Sequence, residues 1–418
     1  MIYGRFQNVK GRNEMREVLE QVAKKVSRCS CLNHNPIRIE QICVQTNAME
    51  QLIPYLNSKS FKELTVICDS STYAIAGNML CELINQEGLS SHVIIVRPND
   101  QGDVIADERS VVQVILEIPT LSTDCLLAVG SGTLHDIVRF IASKINKPFI
   151  SIPTAPSVDG FTSLGAPLMI NGVKKTISAV APIAIFADLT ILTKAPKSLI
   201  ASGFGDMIGK YTSLVDWKFS HLIADEPYCE AAAQITQAAL RTCIDNITSI
   251  AHGDRDGIEH LIYALIDSGL AMLLLGQSHP ASGAEHHLSH YWETIYVKKG
   301  NRQLLHGAKV GVATAEISRV YHELMDADHW SKVKAQNEKD LIYIQRIQEY
   351  KLEMKSWIAQ IPTSDQIRTW LRIVGGPTTP EELGIDSGLL QDSLQHAYLL
   401  RDRYTVMRAS RELIHYSS

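Results

Sequence analysis

Residues 124–136 read DCLLAVGSGTLHD, and this stretch indicates the fold most clearly. The apolar run DCLLAV is typical of a buried strand, and LHDIVRFIASKI after the glycines has helical spacing. Glycines at such a turn let the backbone approach a pyrophosphate, and the helix N-terminus supplies amide donors. An ordinary helix start, with Thr133 as N-cap and Asp136 three residues later, explains the same letters. Both interpretations can hold together, and the stretch predicts a nucleotide-binding turn although the third glycine of the usual motif is absent.

The same alternation of strand and helix extends to both sides of this turn. Further apolar runs are IEQICV (39–44), LTVICD (64–69), HVIIVR (92–97) and PFISIP (148–153). Amphipathic stretches lie between them, at 72–86, 107–118 and 134–145. Strands separated by helices of this length predict βαβ units and a mostly parallel sheet. Asn171-Gly172 suits a type I′ turn and predicts a small hairpin added to that sheet.

The chain changes character near residue 200, where helical periodicity replaces the β-rich runs. The predicted helices are 206–222, 228–252, 256–276, 283–295, 307–325, 337–360, 364–373 and 388–413. The sequence therefore predicts an α/β domain over residues 1–200 and a helical domain over residues 201–418.

Composition excludes several classes of protein. With 418 residues and a net charge of −5, the chain lacks the basic excess expected of a nucleic-acid-binding protein. Its most apolar stretch, residues 261–275, contains Asp267 and is shorter than the roughly 20 residues that a membrane span needs. We therefore expect a buried core helix there and no membrane insertion.

The eight cysteines contain no CxxC pair and no zinc-finger spacing. Several lie inside apolar runs, where cysteine usually acts as a small hydrophobic residue. This pattern predicts a reduced, cytoplasmic chain. Cys29 and Cys31 are close enough in sequence to contact a metal together, but the pattern favours a chance surface pair.

Two further loops follow predicted strands. Asp69 comes directly after LTVIC, where a carboxylate can accept hydrogen bonds from a ribose and repel a 2′-phosphate. An ordinary turn aspartate is the alternative, and it is favoured when Asp69 is taken alone. The loop PTAPSVDGFTS (153–163) contains two prolines, so it should hold Asp159 stiffly toward a cleft, although Asp-Gly also suits a simple turn.

Histidines cluster in the second half of the chain. Four of the 15 lie between His286 and His306, where random scatter would place fewer than one. His286 and His290 share one helix face, and His306 should begin another helix. The stretch GFGD (203–206) should open a helix that offers Asp206. Two imidazoles and one carboxylate with an open position are typical of a catalytic divalent site.

Single histidines are more often ordinary core or surface residues, so the metal hypothesis depends on the set. HHLSH (286–290) lacks the glutamate of HExxH, which disfavours a zinc protease.

Six motifs in register carry a family resemblance. They are GSGTLHD, PTAPSVDGFTS, KKTISAVAPIAIFADL, SGFGDMIGK, SGAEHHLSH and LLHGAKVGV. In this order they resemble the sn-glycerol-1-phosphate dehydrogenase family, particularly its bacterial AraM-like branch. The wider group includes glycerol dehydrogenase, the iron-dependent alcohol dehydrogenases and dehydroquinate synthase. The resemblance covers nearly the whole chain, and it is weaker over 1–35 and 330–350.

The resemblance implies a Rossmann-like N-terminal domain, an all-helical C-terminal domain and an active site in the cleft between them. It implies that Asp206, His286 and His306 are metal ligands with catalytic roles. Asp159, Asp206 and His290 correspond to residues that face the substrate. The cofactor-contacting positions that it implies are Asp69, Gly132, Thr133, Leu134, His135, Asp136, Thr154, Ala155, Pro156, Ser157 and Ser163.

The implied activity is reduction of dihydroxyacetone phosphate to sn-glycerol 1-phosphate, with hydride from NAD(H) or NADP(H). One divalent ion per subunit, nickel or zinc, would act as the Lewis acid. His290 would orient the substrate or pass the proton, and Asp159 would fix a hydroxyl. The resemblance also implies a homodimer. The acid at Asp69, with no basic residue close after it, favours NADH over NADPH.

Two other activities remain open within the wider group. One is oxidation of an unphosphorylated polyol such as glycerol, and the other is a lyase like dehydroquinate synthase, which the motifs disfavour. A pure nucleotide-binding protein would leave the Asp206, His286 and His306 set without a purpose. Phosphate needs cationic or amide donors, and the candidates are Lys175, Lys210, Arg302 and Lys309, each more commonly a solvated or structural residue.

Overall fold

The computed structural model, which describes residues 12–31, 34–326 and 329–414, alternates strands and helices as far as Pro153, and three further strands follow between Gly165 and Asp188. The strands are β1 (Gln41–Gln45), β2 (Glu63–Cys68), β3 (Ser90–Ile95), β4 (Cys125–Gly130), β5 (Phe149–Pro153), β6 (Gly165–Ile170), β7 (Val173–Ser178) and β8 (Ala184–Asp188). The helices of this half are α1 (Arg12–Val26), α2 (Leu52–Ser58), α3 (Ser70–Thr72), α4 (Asn78–Gln86), α5 (Glu108–Glu117), α6 (Gly132–Ile145) and α7 (Leu189–Leu192). The predicted α/β architecture is confirmed.

Six strands form one parallel sheet in the order β1-β8-β5-β4-β2-β3. Sequence patterning missed β8, whose five residues are all buried. A short apolar run without alternation cannot be distinguished from a buried helix segment by periodicity alone.

The hairpin at Asn171-Gly172 forms, with φ values of 51° and 71° at the two turn residues. Its strands β6 and β7 form a separate two-stranded sheet, so the prediction that it extends the main sheet was wrong. A single bridge between Asp107 and Met169 links it to the segment before α5.

The second half of the chain is helical, as predicted. Its helices are α8 (Lys197–Ile208), α9 (Lys210–Ala224), α10 (Glu230–Asp245), α11 (Ile247–His252), α12 (Arg255–Leu275), α13 (Ala284–Lys298), α14 (His306–Asp326), α15 (Glu338–Glu349), α16 (Lys351–Ile358), α17 (Ser364–Ile373), α18 (Ser387–His396) and α19 (Val406–Leu413). Four of the predicted helices are each divided: 206–222, 228–252, 337–360 and 388–413. Asn246 and Tyr350 interrupt two of them because their backbones leave the helical region.

Helix α12 contains the most apolar stretch of the chain. It is the one described helix long and apolar enough to cross a membrane, and 72% of its apolar window is buried inside the protein. It packs against α10 and α8. The expected buried core helix is therefore confirmed.

The parallel sheet also positions the loops that the sequence singled out. Because β2, β4 and β5 are neighbours and parallel, their carboxyl ends meet at one edge. In open α/β sheets ligands bind at that edge. Residues 69, 131–136 and 154–163 therefore converge on the helices of the second half.

Candidate active site

A cavity of about 530 Å³ lies at this edge of the sheet. Many of the predicted site residues line it: Asp69, Gly132, Thr133, Leu134, Asp136, Ser157, Asp159, Ser163, His286, His290 and His306. The cavity has the size of a typical ligand site. It is lined by loops at the carboxyl ends of three strands and by helices α13 and α14.

The glycine turn after β4 leaves its helix without a side-chain cap. Helix α6 begins at Gly132 with Ser131 as N-cap, so the prediction of Thr133 as N-cap was wrong. The Ser131 side chain makes no capping hydrogen bond. A Cβ on Gly132 would lie 2.8 Å from Val158 Cγ2, so glycine lets the two loops pack closely. The first-turn amides of α6 can therefore serve an anion.

Within the described part of the chain, four of the predicted cofactor residues lie outside the cavity lining: His135, Thr154, Ala155 and Pro156. His135 Nδ1 lies 2.9 Å from the Ser131 carbonyl oxygen and Nε2 lies 2.7 Å from Ser151 Oγ. Burial lowers the pKa of His135 to about 3, so the ring is neutral. His135 thus holds the turn against β5, and direct cofactor contact by these four residues stays a prediction.

Asp69 fits both roles that the sequence left open, a residue near a ribose and an ordinary turn aspartate. Its Oδ1 accepts a 2.8 Å hydrogen bond from the Thr72 amide, and the Asp69 amide donates to Thr72 Oγ1 at 2.9 Å. This reciprocal pair is a capping box that starts the helical run of residues 70–86. Asp69 also lines the cavity, so it is a capping residue within reach of a ligand.

Asp206 lies in the last turn of α8, so the prediction that it begins a helix was wrong. The glycines of GFGD serve close packing instead. A Cβ on Gly203 would lie 1.9 Å from the Pro156 carbonyl oxygen, and one on Gly205 would lie 2.3 Å from the Gly307 carbonyl oxygen. These contacts press α8 against the loop after β5 and against the start of α14.

Helices α8, α13 and α14 each contribute one residue to a possible metal-binding set. We call this set, Asp206, His286 and His306, the cleft cluster. One donor atom from each lies within 4.8 Å of the other two. His286 Nε2 is 3.8 Å from Asp206 Oδ1, too long for a hydrogen bond and suited to a shared cation. His306 is the first residue of α14, as predicted. Two imidazoles and a carboxylate beside a cavity fit a divalent ion with an open coordination position.

Glu285 orients one of these imidazoles, and sequence reasoning missed it. His286 Nδ1 donates to Glu285 Oε1 at 2.7 Å. Burial opposes ionisation of Glu285, but hydrogen bonds from His286, Thr212 and Gly283 bring its pKa to about 2. The ionised carboxylate keeps the proton on Nδ1 and leaves Nε2 free toward Asp206, the arrangement typical of metal-binding histidines. Within the described structure, His306 Nδ1 is buried without a hydrogen bond.

Lys210 lies between two carboxylates, so it is a poor candidate for phosphate binding. Its Nζ is 2.8 Å from Asp159 Oδ2 and 3.0 Å from Asp206 Oδ1, and the side chain is fully buried. Ser268 Oγ donates to the same Asp159 oxygen, and the Asp159 amide donates to Asp206 Oδ2 at 3.0 Å. Burial and the neighbouring Asp206 raise the pKa of Asp159. Asp159, which lines the cavity, and Asp206 are thus coupled through one buried lysine.

His290 receives a hydrogen bond from an arginine that the sequence analysis did not consider. Arg401 Nη2 lies 3.2 Å from His290 Nδ1, and Arg401 Nη1 donates to Ser282 Oγ at 3.1 Å. Because a guanidinium only donates, Nδ1 accepts and the His290 proton is on Nε2. Burial and Arg401 lower the pKa of His290 well below its usual value. Arg401 also lines the cavity.

Besides Arg401, a lysine of strand β7 faces the cavity. Lys174, next to the predicted candidate Lys175, lines the cavity and pairs with Glu293 Oε2 at 2.8 Å. Lys309 reaches the same oxygen at 2.9 Å, and burial lowers its pKa to about 8. Lys175 is exposed.

Arg302, another predicted phosphate candidate, is also at the surface, where it pairs with Asp103 at 2.7 Å.

Comparisons with known proteins identify the family of the chain. The model of the iron-containing alcohol dehydrogenase family matches residues 43–196. A protein of Geobacillus stearothermophilus named "Glycerol-1-phosphate dehydrogenase [NAD(P)+]" is 47% identical over 96% of this chain and 99% of its own length. The chain belongs to the glycerol-1-phosphate dehydrogenase family.

Other members of this family and more distant structures extend the comparison. The Bacillus subtilis protein of the same name is 42% identical over 90% of this chain and 92% of its own. Glycerol dehydrogenase from Schizosaccharomyces pombe has the same fold, with a TM-score of 0.63, 19% identity, and coverage of 90% of this chain and 85% of that one. A 1,3-propanediol oxidoreductase has a TM-score of 0.65 at 14% identity, over 88% of this chain and 95% of that one.

Proposed function

We propose that this chain reduces dihydroxyacetone phosphate to sn-glycerol 1-phosphate with NADH and a bound divalent metal ion. The observation that carries the proposal is that His286 and His306 of the cleft cluster and the glycine turn line one cavity. Relatives at 42–47% identity over most of the chain carry the name of this activity. The chain is therefore an NAD(P)-dependent oxidoreductase that acts on a CH–OH group.

Asp206, His286 and His306 would hold the metal ion. When bound, such an ion supplies Lewis-acid polarisation of a carbonyl oxygen. Imidazole and carboxylate suit both of the metals that the resemblance implies, nickel and zinc. The Glu285 carboxylate fixes the His286 ring, so this chain presents Nε2 in the orientation that a ligand needs.

The cofactor would lie along the carboxyl edge of the sheet. Its pyrophosphate would meet the uncapped start of α6 at residues 132–136, and the loop 154–157 and Ser163 would flank it. The reduced nicotinamide supplies the hydride. Asp69 would accept hydrogen bonds from the adenosine ribose and disfavour a 2′-phosphate, so NADH is preferred over NADPH.

His290 would orient the substrate by donating a hydrogen bond from Nε2. Because Arg401 holds Nδ1 as an acceptor, the ring is neutral and Nε2–H points away from that contact. Asp159 would position a substrate hydroxyl. Its described side-chain contacts with Lys210 and Ser268 both use Oδ2, which leaves Oδ1 for that hydroxyl.

The phosphate of the substrate would lie between Lys174 and Arg401. Both cations line the cavity that contains His290. A guanidinium and an ammonium that converge on one cavity match a phosphate dianion. This pair favours a phosphorylated substrate over an unphosphorylated polyol, the runner-up activity of the wider group.

The division into a cofactor-binding domain (1–200) and a metal- and substrate-binding domain (201–418) belongs to the same proposal. The last strand of the sheet ends at Asp188, and α8 begins at Lys197. We also propose a homodimer, which the family resemblance implies, in the cytoplasm, which the cysteine pattern predicts.

The test is a product and substrate assay with purified protein. We expect one NADH to be oxidised for each dihydroxyacetone phosphate consumed, and a product that is sn-glycerol 1-phosphate by stereospecific assay. Reloading metal-stripped protein with zinc or nickel in parallel identifies the metal that restores the higher rate. A faster reaction with glycerol than with glycerol 1-phosphate in the oxidative direction, or turnover without net NADH change, would overturn the proposal.

A further inference from the structure

A second set of metal-binding side chains lies outside the active site. We call it the cysteine cluster: Cys29, Cys31, His34 and Cys229. One donor atom from each lies within 4.8 Å of the other three. Cys29 and Cys31 follow α1, and Cys229 is the N-cap of α10, 200 residues beyond Cys29. Folding thus brings together two thiols that looked like a chance pair, a histidine and a distant third thiol.

The distances within the cluster match those of a tetrahedral site. Cys29 Sγ is 3.5 Å from Cys31 Sγ and 3.9 Å from Cys229 Sγ. His34 Nε2 is 3.1 Å from Cys31 Sγ and 3.2 Å from Cys229 Sγ. Metal–sulfur and metal–nitrogen bonds of about 2.3 and 2.0 Å give tetrahedral edges of about 3.5 to 3.8 Å. An ion at the centre therefore requires only small movements of the side chains.

We propose that Cys29, Cys31, His34 and Cys229 bind a zinc ion that stabilises the structure. Three thiolates and one imidazole are a common donor set of structural zinc sites. Soft sulfur donors in a tetrahedral arrangement favour zinc over harder divalent ions. Four protein ligands fill the coordination sphere, so no position remains for a substrate.

A disulfide explains the same cluster less well. A disulfide would join two of the three thiols and leave the third thiol unbridged. It would also give no role to His34, whose Nε2 lies close to two of the sulfurs. A metal ion uses all four groups at once.

The surroundings indicate what the zinc ion would stabilise. The segment that contains the cluster packs with Val22 and Ile39 against the core formed by α8, α10 and α12. The Asn35 amide donates to the Leu274 carbonyl oxygen at 2.8 Å, so the segment also reaches the end of α12. Cys229 Sγ accepts a hydrogen bond from the Ala232 amide at 3.4 Å, so the start of α10 holds this ligand in place. The ion would therefore fasten the residues before β1 to the helical half.

Cobalt provides a probe that distinguishes the two clusters. Cobalt bound by thiolates gives a charge-transfer absorption that oxygen and nitrogen ligands do not give, and the cleft cluster contains no sulfur. Reduced, metal-free wild-type protein is titrated with cobalt. The absorption and the number of cobalt ions bound per chain are both measured at each step. We expect one equivalent to produce the thiolate band and a second equivalent to bind without it.

Alanine variants assign the band to the cluster. Cys31→Ala and Cys229→Ala should lose the band, one equivalent of metal and several degrees of Tm, and keep the wild-type kcat. Cys243→Ala is the matched control because Cys243 is fully buried on helix α10 and belongs to neither of the two metal-binding clusters. It should keep the band, as should His306→Ala.

The titration of the wild-type protein tests the proposal even where a variant does not fold. The absence of a thiolate band with all eight thiols reduced would overturn it. Its persistence in Cys229→Ala, or a Cys29–Cys229 disulfide in protein purified without oxidant, would overturn it as well. These outcomes leave the dehydrogenase proposal untouched, because that proposal depends on the cleft cluster.

Discussion

The cleft cluster and the cysteine cluster are both assembled by folding, but they are built for different purposes. The cleft cluster offers three nitrogen and oxygen ligands and opens on a cavity of about 530 Å³. The cysteine cluster offers four ligands, three of them sulfur. An incomplete set beside a cavity suits catalysis, whereas a complete set suits structure. The number of ligands and their access to the cavity therefore indicate the role of each cluster.

The largest effect should come from removing an imidazole of the cleft cluster. We expect His306→Ala to lower kcat by about 10³-fold or more, because a site with two ligands left holds the ion too weakly. The measurements are the rate of NADH oxidation with dihydroxyacetone phosphate and the metal content per chain. The cobalt–thiolate band should not change. Full metal content at a near-normal rate would remove His306 from the ligand set, and His286→Ala tests the second imidazole in the same way.

Removing the charge of the carboxylate ligand should have the next largest effect. Asp206→Asn keeps the shape of the side chain but weakens metal binding, and we expect a loss of about 10²-fold or more in activity. NADH affinity, measured by fluorescence titration, should stay close to that of the wild type because the glycine turn lies on another element. Collapse of NADH affinity with normal metal content would show that Asp206 serves the cofactor instead.

Glu285 tests whether the orientation of a ligand matters as well as its presence. Glu285→Gln keeps an acceptor for His286 Nδ1 but removes the negative charge. We expect metal affinity at the cleft cluster to fall about 10- to 100-fold. Competition with a chelator measures this change, and excess metal should rescue the activity. If affinity is unchanged, the hydrogen bond from His286 to Glu285 is only structural.

The cysteine cluster should respond in the opposite way, with a change in stability and none in turnover. Loss of a bound ion removes its linkage contribution to folding, so we expect Cys229→Ala to lower Tm by about 5 °C or more. The kcat measured well below Tm should be unchanged. A variant with normal Tm and impaired kcat would reverse the roles that we give to the two clusters.

Asp69 lies outside both clusters and provides the smallest expected effect. Asp69→Ser keeps an oxygen acceptor for the N-cap of the helical run 70–86 and removes the charge that repels a 2′-phosphate. We expect kcat/KM with NADPH relative to NADH to rise about 10-fold, the effect of roughly 1.4 kcal/mol, with both metal contents unchanged. Equal efficiency with both cofactors in the wild type, unchanged by the substitution, would make Asp69 a capping residue only.

Local signals made the fold and much of the site predictable from the sequence. DCLLAVGSGTLHD places strand, glycine turn and helix within 13 residues, and the structure contains all three in order. His286 and His290 lie on one helix, and His306 begins the next, because capping and periodicity are properties of neighbouring residues. The position of Asp206 was misjudged because its glycines serve contacts with other segments, which local spacing does not encode.

Long-range partners account for most of what the sequence did not reveal. Cys29 and Cys31 looked like a chance pair because Cys229 joins them from 200 residues away. Arg401 reaches His290 across 111 residues of chain. Periodicity and local spacing within one sequence contain no signal for such pairs, so their contacts appear only in the folded structure.

The most direct test of the central claim is the activity of metal-free wild-type protein as metal is returned to it. If the cleft cluster holds the catalytic ion, the protein without metal should be inactive with dihydroxyacetone phosphate and NADH. Activity should then rise as the cleft cluster fills and reach its maximum at one ion per chain in that cluster. Full activity of protein from which all metal has been removed would contradict the account.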